Sequence, residues 1–224
     1  MSELTDKDLN TIRLLGGEPL LHPKVIELID LARKYFDRTT RIVLVTNGIL
    51  LSKQPDEFWT CAKRNGLVII ISHYPIKLDI TKIKERSVQY SVTVGYGEDI
   101  NYFRDIAPKY MHKYKYDLTV GSSESGGWEM ITENFNVCPL SNVCITLKNG
   151  QLYPCSLAAH SEHFFNKFGF LKKCAEDSIN IHEADNADEL INFISKPIPF
   201  CRFCGNMEYG LEWKQSRGEI SEWT

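Results

Sequence analysis

The chain has 224 residues, enough for one large domain or a domain with a smaller companion. Its composition is ordinary for a globular protein, 43 % hydrophobic and 25 % charged, and 26 basic against 29 acidic residues leave a formal net charge of -3. Neither sign dominates, and the basic residues are dispersed, which argues against nucleic acid or an anionic membrane surface as partner.

The N-terminus, MSELTDKDLN, is polar and acidic and does not read as a secretory signal. No stretch approaches the roughly 18 apolar residues of a membrane span. The expected location is the cytoplasm. There, the seven cysteines argue for metal or catalytic use rather than a disulfide framework.

In chain order, Thr11 to Leu15 is a short apolar run that ends at Gly16-Gly17 and predicts a buried strand. From Pro23 to Phe36, Val25, Leu28, Ile29, Ala32 and Phe36 fall at helical spacing. Ile42 to Val45, closed by Asn47-Gly48, predicts a fully buried parallel strand. Pro55 to Arg64 predicts a helix stopped at Asn65-Gly66, Leu67 to Ile71 the next strand, Ile80 to Arg86 a shorter helix, and Tyr90 to Val94 a further strand. This alternation implies an α/β fold, a parallel sheet with helical crossovers that is either open or curled into a partial barrel. Ligands bind such sheets at the C-terminal strand ends. Three of those ends carry polar or glycine-rich residues: Gly16-Gly17-Glu18-Pro19, Thr46-Asn47-Gly48 and Ser72-His73-Tyr74-Pro75.

The pattern becomes irregular from Gly95 to Gly127, where Tyr110 to Tyr116 reads as a solvated amphipathic surface and SSESGG at Ser122 to Gly127 as a flexible connection. The expected boundary lies near Gly127, giving domains 1-127 and 128-224. The second is rich in cysteine. Cys201-Arg202-Phe203-Cys204 is a CxxC, whose turn points two thiolates at one centre. In CITLKNGQLYPC, Asn149-Gly150 signals a two-residue hairpin that brings Cys144 and Cys155 together at its open end. Four such thiolates suit zinc or an iron–sulfur cluster, and spacing alone does not choose. Cys138 is a fifth candidate that could replace Cys144. Cys61 reads as a buried small hydrophobe and Cys174 as inert.

Leu14-Leu15-Gly16-Gly17-Glu18-Pro19-Leu20, Val45-Thr46-Asn47-Gly48-Ile49-Leu50, Ile71-Ser72-His73-Tyr74-Pro75 and CITLKNGQLYPC with the later CRFC together resemble the radical S-adenosylmethionine (radical SAM) family, in its branch with a C-terminal auxiliary cluster domain of the SPASM or twitch kind. The resemblance implies a partial (β/α) barrel lacking its first strand, followed by a small cysteine-rich domain. It implies that Gly16, Gly17, Glu18 and Pro19 bind the methionine part of S-adenosylmethionine, with Glu18 accepting from its ammonium group. Thr46, Asn47 and Ser72 would line the same face, and His73 is a weaker candidate. It also implies a 4Fe-4S auxiliary cluster on four of Cys138, Cys144, Cys155, Cys201 and Cys204, with zinc as the alternative.

One departure stands against the matches. The family's radical-generating cluster sits on a CxxxCxxC motif upstream of GGEP, and here 15 residues precede Gly16, none of them cysteine. The chain is therefore expected to be an N-terminally truncated or degenerate member with no catalytic residues of its own. It would work with a partner chain or missing N-terminal segment that completes the barrel, on a peptide or small-molecule substrate. The alternatives are a non-catalytic iron–sulfur protein for electron transfer or partner binding, and a zinc-binding structural module.

Overall fold

A computed structural model describes residues 9–72, 74, 76–96, 110–116, 128–141, 143–169, 175–212 and 214–224. His73, Pro75, Cys174 and the SSESGG stretch lie outside the described residues. The chain divides into two units, Met1–Lys109 and Tyr110–Thr224.

The first unit is α/β. Strands β1 (Thr11–Leu14), β2 (Arg41–Thr46), β3 (Val68–Ile71) and β4 (Thr93–Tyr96) form one sheet in the order β1-β2-β3-β4. All three pairings are parallel. Helices α1 (Val25–Tyr35), α2 (Asp56–Asn65) and α3 (Ile80–Tyr90) provide the crossovers. Burial explains the strands. Ile42, Val43 and Leu44 are at most 2 % exposed, so β2 reads as an unbroken apolar run rather than an alternation. One face of the sheet joins Ile29, Leu51, Phe58, Trp59 and Ile83 in a single core. Among the described residues β1 pairs on one side only, and its burial alternates between half-buried Ile12 and Leu14 and exposed Thr11 and Arg13. Helix α1 carries a stripe of exposed apolar side chains, Leu28, Leu31 and Tyr35, and Leu15 and Leu21 are exposed as well.

Two sequence readings change. The helix expected to stop at Arg86 runs to Tyr90, and the last strand starts at Thr93 instead of Tyr90. Tyr90 stacks on Trp59 at 6.3 Å between ring centroids, with the Arg86 guanidinium 5.0 Å from its ring. That packing holds the last turn helical, and Ser91, at φ 52°, closes it where a glycine stop was absent.

In the second unit, β5 (Tyr110–Tyr116) pairs antiparallel with β9 (Cys204–Glu212). Tyr110 to Tyr116 is thus a strand, and its ladder partner opens on Cys204. β6 (Thr146–Lys148), β7 (Gln151–Tyr153) and β8 (Ile179–Asn180) form a small antiparallel sheet. The expected hairpin is present: Lys148 pairs with Gln151, and Asn149 and Gly150 both have positive φ, as a two-residue turn of this kind needs. α4 (Trp128–Val137), α5 (Ser156–Phe168) and α6 (Ala187–Ile194) complete the unit. Its core is aromatic, with Phe165 meeting Phe200 and Phe203 edge-on at centroid distances of 6.4 and 5.4 Å. Among the described residues, no helix is long and apolar enough to cross a membrane.

Candidate functional site

In the first unit the sheet brings Glu18, Thr46, Asn47 and Ser72 to the C-terminal ends of β1, β2 and β3. Glu18 caps the short 3-10 turn Pro19–Leu21. Its Oε1 accepts from the Leu20 N–H at 3.0 Å and from the Thr46 hydroxyl at 2.6 Å. Its Oε2 accepts from the Asn47 N–H at 2.8 Å. Thr46 is 2 % exposed, and its oxygen also accepts from the Gly48 N–H at 3.1 Å. Ser72 joins through its backbone, donating its N–H to the Thr46 carbonyl at 2.8 Å. The Asn47 side chain turns the chain onward by accepting from the Ile49 N–H at 2.9 Å.

A carboxylate offers about four acceptor positions. Three are used inside the protein, so Glu18 first ties the end of β1 to the end of β2 and keeps about one position for a cationic ligand. The adjacent glycines are arranged differently from Gly48. A Cβ on Gly16 or Gly17 would meet nothing within 4 Å. A Cβ on Gly48, at φ +80°, would lie 2.9 Å from Ile71 Cγ2 and 3.0 Å from a Leu78 methyl. Internal packing therefore requires glycine at position 48 but not at 16 or 17. Among the described residues the bare backbone at Gly16-Gly17 faces open space, which fits the close approach of a ligand.

The second unit gathers the cysteines. Cys155 caps α5, and its sulfur accepts from the Ala158 N–H at 3.5 Å. The Cys138 sulfur accepts from the Leu140 N–H at 3.4 Å. Cys201 lies on the 3-10 turn Pro199–Phe203, and Cys204 ends it. Cys201 belongs to the aromatic core, with Cys155 and Cys204 packed against it. Burial, then neighbouring sulfurs, sets their acidity. The Cys201 thiol is pushed up to about 11 by burial, with Cys155, Cys138 and Asp177 adding to the rise. Cys204 is driven further up by burial and by Cys201, Cys155 and Cys138. Cys155 is raised by burial and by Cys138 and Cys144, against the lowering pull of the Ala158 and Leu157 amides. Cys138, Cys155, Cys201 and Cys204 thus share one electrostatic neighbourhood, which Cys144 adjoins at Cys155. Among the described residues, however, no three His, Cys, Asp or Glu side chains are placed to hold a metal ion. Thiols are the donor type that thiophilic metal groups take.

No family model matches the chain. A stretch of 52 residues, 23 % of the chain, is 46 % identical to a GTP 3',8-cyclase of Trichodesmium erythraeum (strain IMS101). A stretch of 53 residues, 24 % of the chain, is 42 % identical to a GTP 3',8-cyclase of Chlorobaculum tepidum (strain ATCC 49652 / DSM 12025 / NBRC 103806 / TLS). The similarity is to radical SAM enzymes. In each case the chain spans 16 % of the relative's length.

Two contributors to the cysteine site carry no sequence signal. Asn134 Nδ2 donates to the Cys201 carbonyl at 2.9 Å from 67 residues away, and the buried Asp177 accepts from the Phe200 N–H at 2.7 Å. Cys61, by contrast, is the buried small hydrophobe its helical setting predicts. It is 1 % exposed, and burial, with Asp30 beside it, raises its thiol to about 11.

Proposed function

We propose that the chain is a radical SAM-type iron–sulfur protein, whose strand-end site receives the methionine part of S-adenosylmethionine and whose cysteine site holds an auxiliary 4Fe-4S cluster. The observation that carries this reading is the Glu18 carboxylate, anchored by Thr46 and Asn47 beside two glycines whose missing side chains serve no internal packing. The short matches to the two cyclases agree with it. Glu18 would accept from the ligand's ammonium group, and the Gly16-Gly17 backbone would lie along it. A bound cluster supplies one-electron chemistry, and the N–H groups of Leu140 and Ala158 would stabilise charge on two of its thiolate ligands.

The first unit would make up part of a (β/α) barrel. The open edge of β1 and the apolar stripe on α1 would be covered by a preceding segment or a partner chain, which would also bring the three-cysteine motif that this sequence lacks. Peptides and small molecules are the substrate classes in view, and the chain alone would not be catalytic.

Anaerobic reconstitution with iron and sulfide, followed by metal and sulfide analysis, tests the cluster. About four iron and four sulfide per chain are expected, lost when Cys201 and Cys204 are replaced by Ala. Zinc bound with no sulfide would refute the cluster and leave a structural metal module.

A further inference from the structure

One flank of α1 and one edge of the sheet are open on the same side of the first unit. Helices α1, α2 and α3 share one core with Ile42, Leu44, Ile69 and Ile71, so all three lie on one face of the sheet. They follow the strands in order, and right-handed crossovers set α1 over β1 and β2, and α2 over β2 and β3. Helix α1 turns Val25 and Ile29 into the core. It turns Asp30 to α2, where the carboxylate accepts from Arg64 at 2.8 Å and from Asn65 at 2.6 Å. Leu28, Leu31 and Tyr35, spaced three and four residues apart, line the flank turned away from α2, and they are 40 %, 49 % and 48 % exposed. That flank is the one on the side of the β1 edge. The Asn10 carbonyl accepts from the Arg41 N–H, and backbone groups alternate along a strand, so those of Thr11 and Arg13 point away from β2. Among the described residues no strand pairs with β1 on that side.

We propose that two copies of this chain cover this face for each other. In the two-fold dimer, β1 pairs antiparallel with β1 of the second copy, and the two α1 helices pack side by side. Symmetry and charge select this occupant. An axis through Ile12 lets Thr11 of each copy exchange backbone hydrogen bonds with Arg13 of the other, which pairs both open edges at once. The same axis runs the helices antiparallel about Leu31, with Leu28 and Tyr35 to either side, a spacing suited to helix–helix packing. Glu27 and Lys34 are exposed and stand two turns apart on the rim of this stripe. Antiparallel helices therefore set Glu27 of each copy opposite Lys34 of the other, giving two opposite-charge contacts. The interface is at the small end of specific ones, so the dimer should dissociate on dilution. None of this rests on the cluster reading. A preceding segment or partner chain that completes the barrel would take the same face, so the dimer is the form expected of this chain by itself.

Sedimentation velocity of the purified full chain, with a thiol reductant present to exclude disulfide-linked species, tests the dimer. With rising concentration the wild type should approach twice the chain mass of 25.7 kDa. Leu31→Lys alters a half-exposed side chain, so it should keep the wild-type circular dichroism and sediment as a single chain. Glu27→Lys and Lys34→Glu each set two like-charge contacts across the axis and should weaken association about tenfold. The double variant Glu27→Lys/Lys34→Glu restores opposite charges and should return to within about threefold of wild type. A wild type that stays single at every concentration would overturn the dimer. Association unmoved by Leu31→Lys would overturn this face. Weakening in both single reversals with no recovery in the double would overturn the antiparallel arrangement. These readings need no iron, so failure of the dimer and failure of the cluster are seen separately.

Discussion

Replacing Thr46 by Val tests whether the strand-end site is built as a clamp. The two side chains have nearly the same shape, and both suit a strand, so packing changes little. What is lost is the hydroxyl. It donates to Glu18 at 2.6 Å and accepts from the Gly48 N–H at 3.1 Å, at a position 2 % exposed. A hydrogen bond to a charged group contributes about 1.5–3 kcal/mol, and a buried N–H left without an acceptor costs about 1–3 kcal/mol. The two effects overlap, because the local chain relaxes, so a loss of about 3 kcal/mol is expected. Amide exchange under native conditions reads this in the first unit alone; Ser72, whose N–H donates to the Thr46 carbonyl, is the reporter. Thr46→Ser keeps the hydroxyl, gives up one methyl, and should lose only about 1 kcal/mol. A Val variant within about 0.5 kcal/mol of wild type would refute the clamp, as would a Ser variant as unstable as Val.

Two further outcomes follow from the same geometry. Gly16→Ala and Gly17→Ala should change unfolding free energy by no more than about 0.5 kcal/mol, since the added methyl meets nothing, yet weaken S-adenosylmethionine binding measured by calorimetry. Gly48→Ala, forced against Ile71 and Leu78 at positive φ, should cost more than about 1 kcal/mol, and equal stability of the three variants would sink the distinction. At the C-terminus, Glu222 accepts from the Arg217, Gly218 and Glu219 N–H groups and from Ser216, which brings its carboxyl from 4.5 down to about 2. A depressed folded value stabilises the tail above the unfolded value, and that contribution is lost as pH falls from 4.5 toward 2. Gly218 and Glu222 resonances should follow this transition by NMR, and titration of Glu222 at an ordinary carboxylate value would contradict it.

Local patterns made much of the fold legible, and long-range packing concealed the rest. The apolar run Ile42 to Leu44 is buried on both faces, so composition alone marks β2. Asn149-Gly150 announces its own turn because few residues tolerate positive φ at two successive positions. Gly66 stops α2 as expected, but Ser91 does the same for α3 without advertising it, and the extra turn depends on Tyr90 meeting the distant Trp59 of α2. The candidate site divides the same way. Thr46 ends β2, Asn47 and Ser72 come next after β2 and β3, and Glu18 lies four residues past β1, so a parallel sheet brings them to one edge. Asn134 and Asp177 reach the CxxC turn from elements with no spacing relation to it. The expected division near Gly127 and the two units meeting at Lys109 and Tyr110 differ by the strand β5, whose partner β9 lies at the far end of the chain.

The cysteine site sets a problem that its own physics resolves. Burial raises Cys155, Cys201 and Cys204, and each neighbouring sulfur raises the next. At neutral pH such thiols stay protonated, and a neutral thiol is a weak metal ligand. Protonated, however, they pack against Phe200 and Phe203 as small hydrophobes, so the unit can keep its core before any metal arrives. A metal group bound there, as proposed, would have to displace those protons, and its positive charge would relieve several sulfur–sulfur repulsions at once. A single ligated thiolate gains little from this, because its neighbours still repel it; several sharing one cation gain together. The shell that makes each cysteine a poor ligand alone therefore favours a group that engages several of them over one that engages a single sulfur. It would also make uptake of the proposed metal group steeper as pH rises than one exposed thiol would allow.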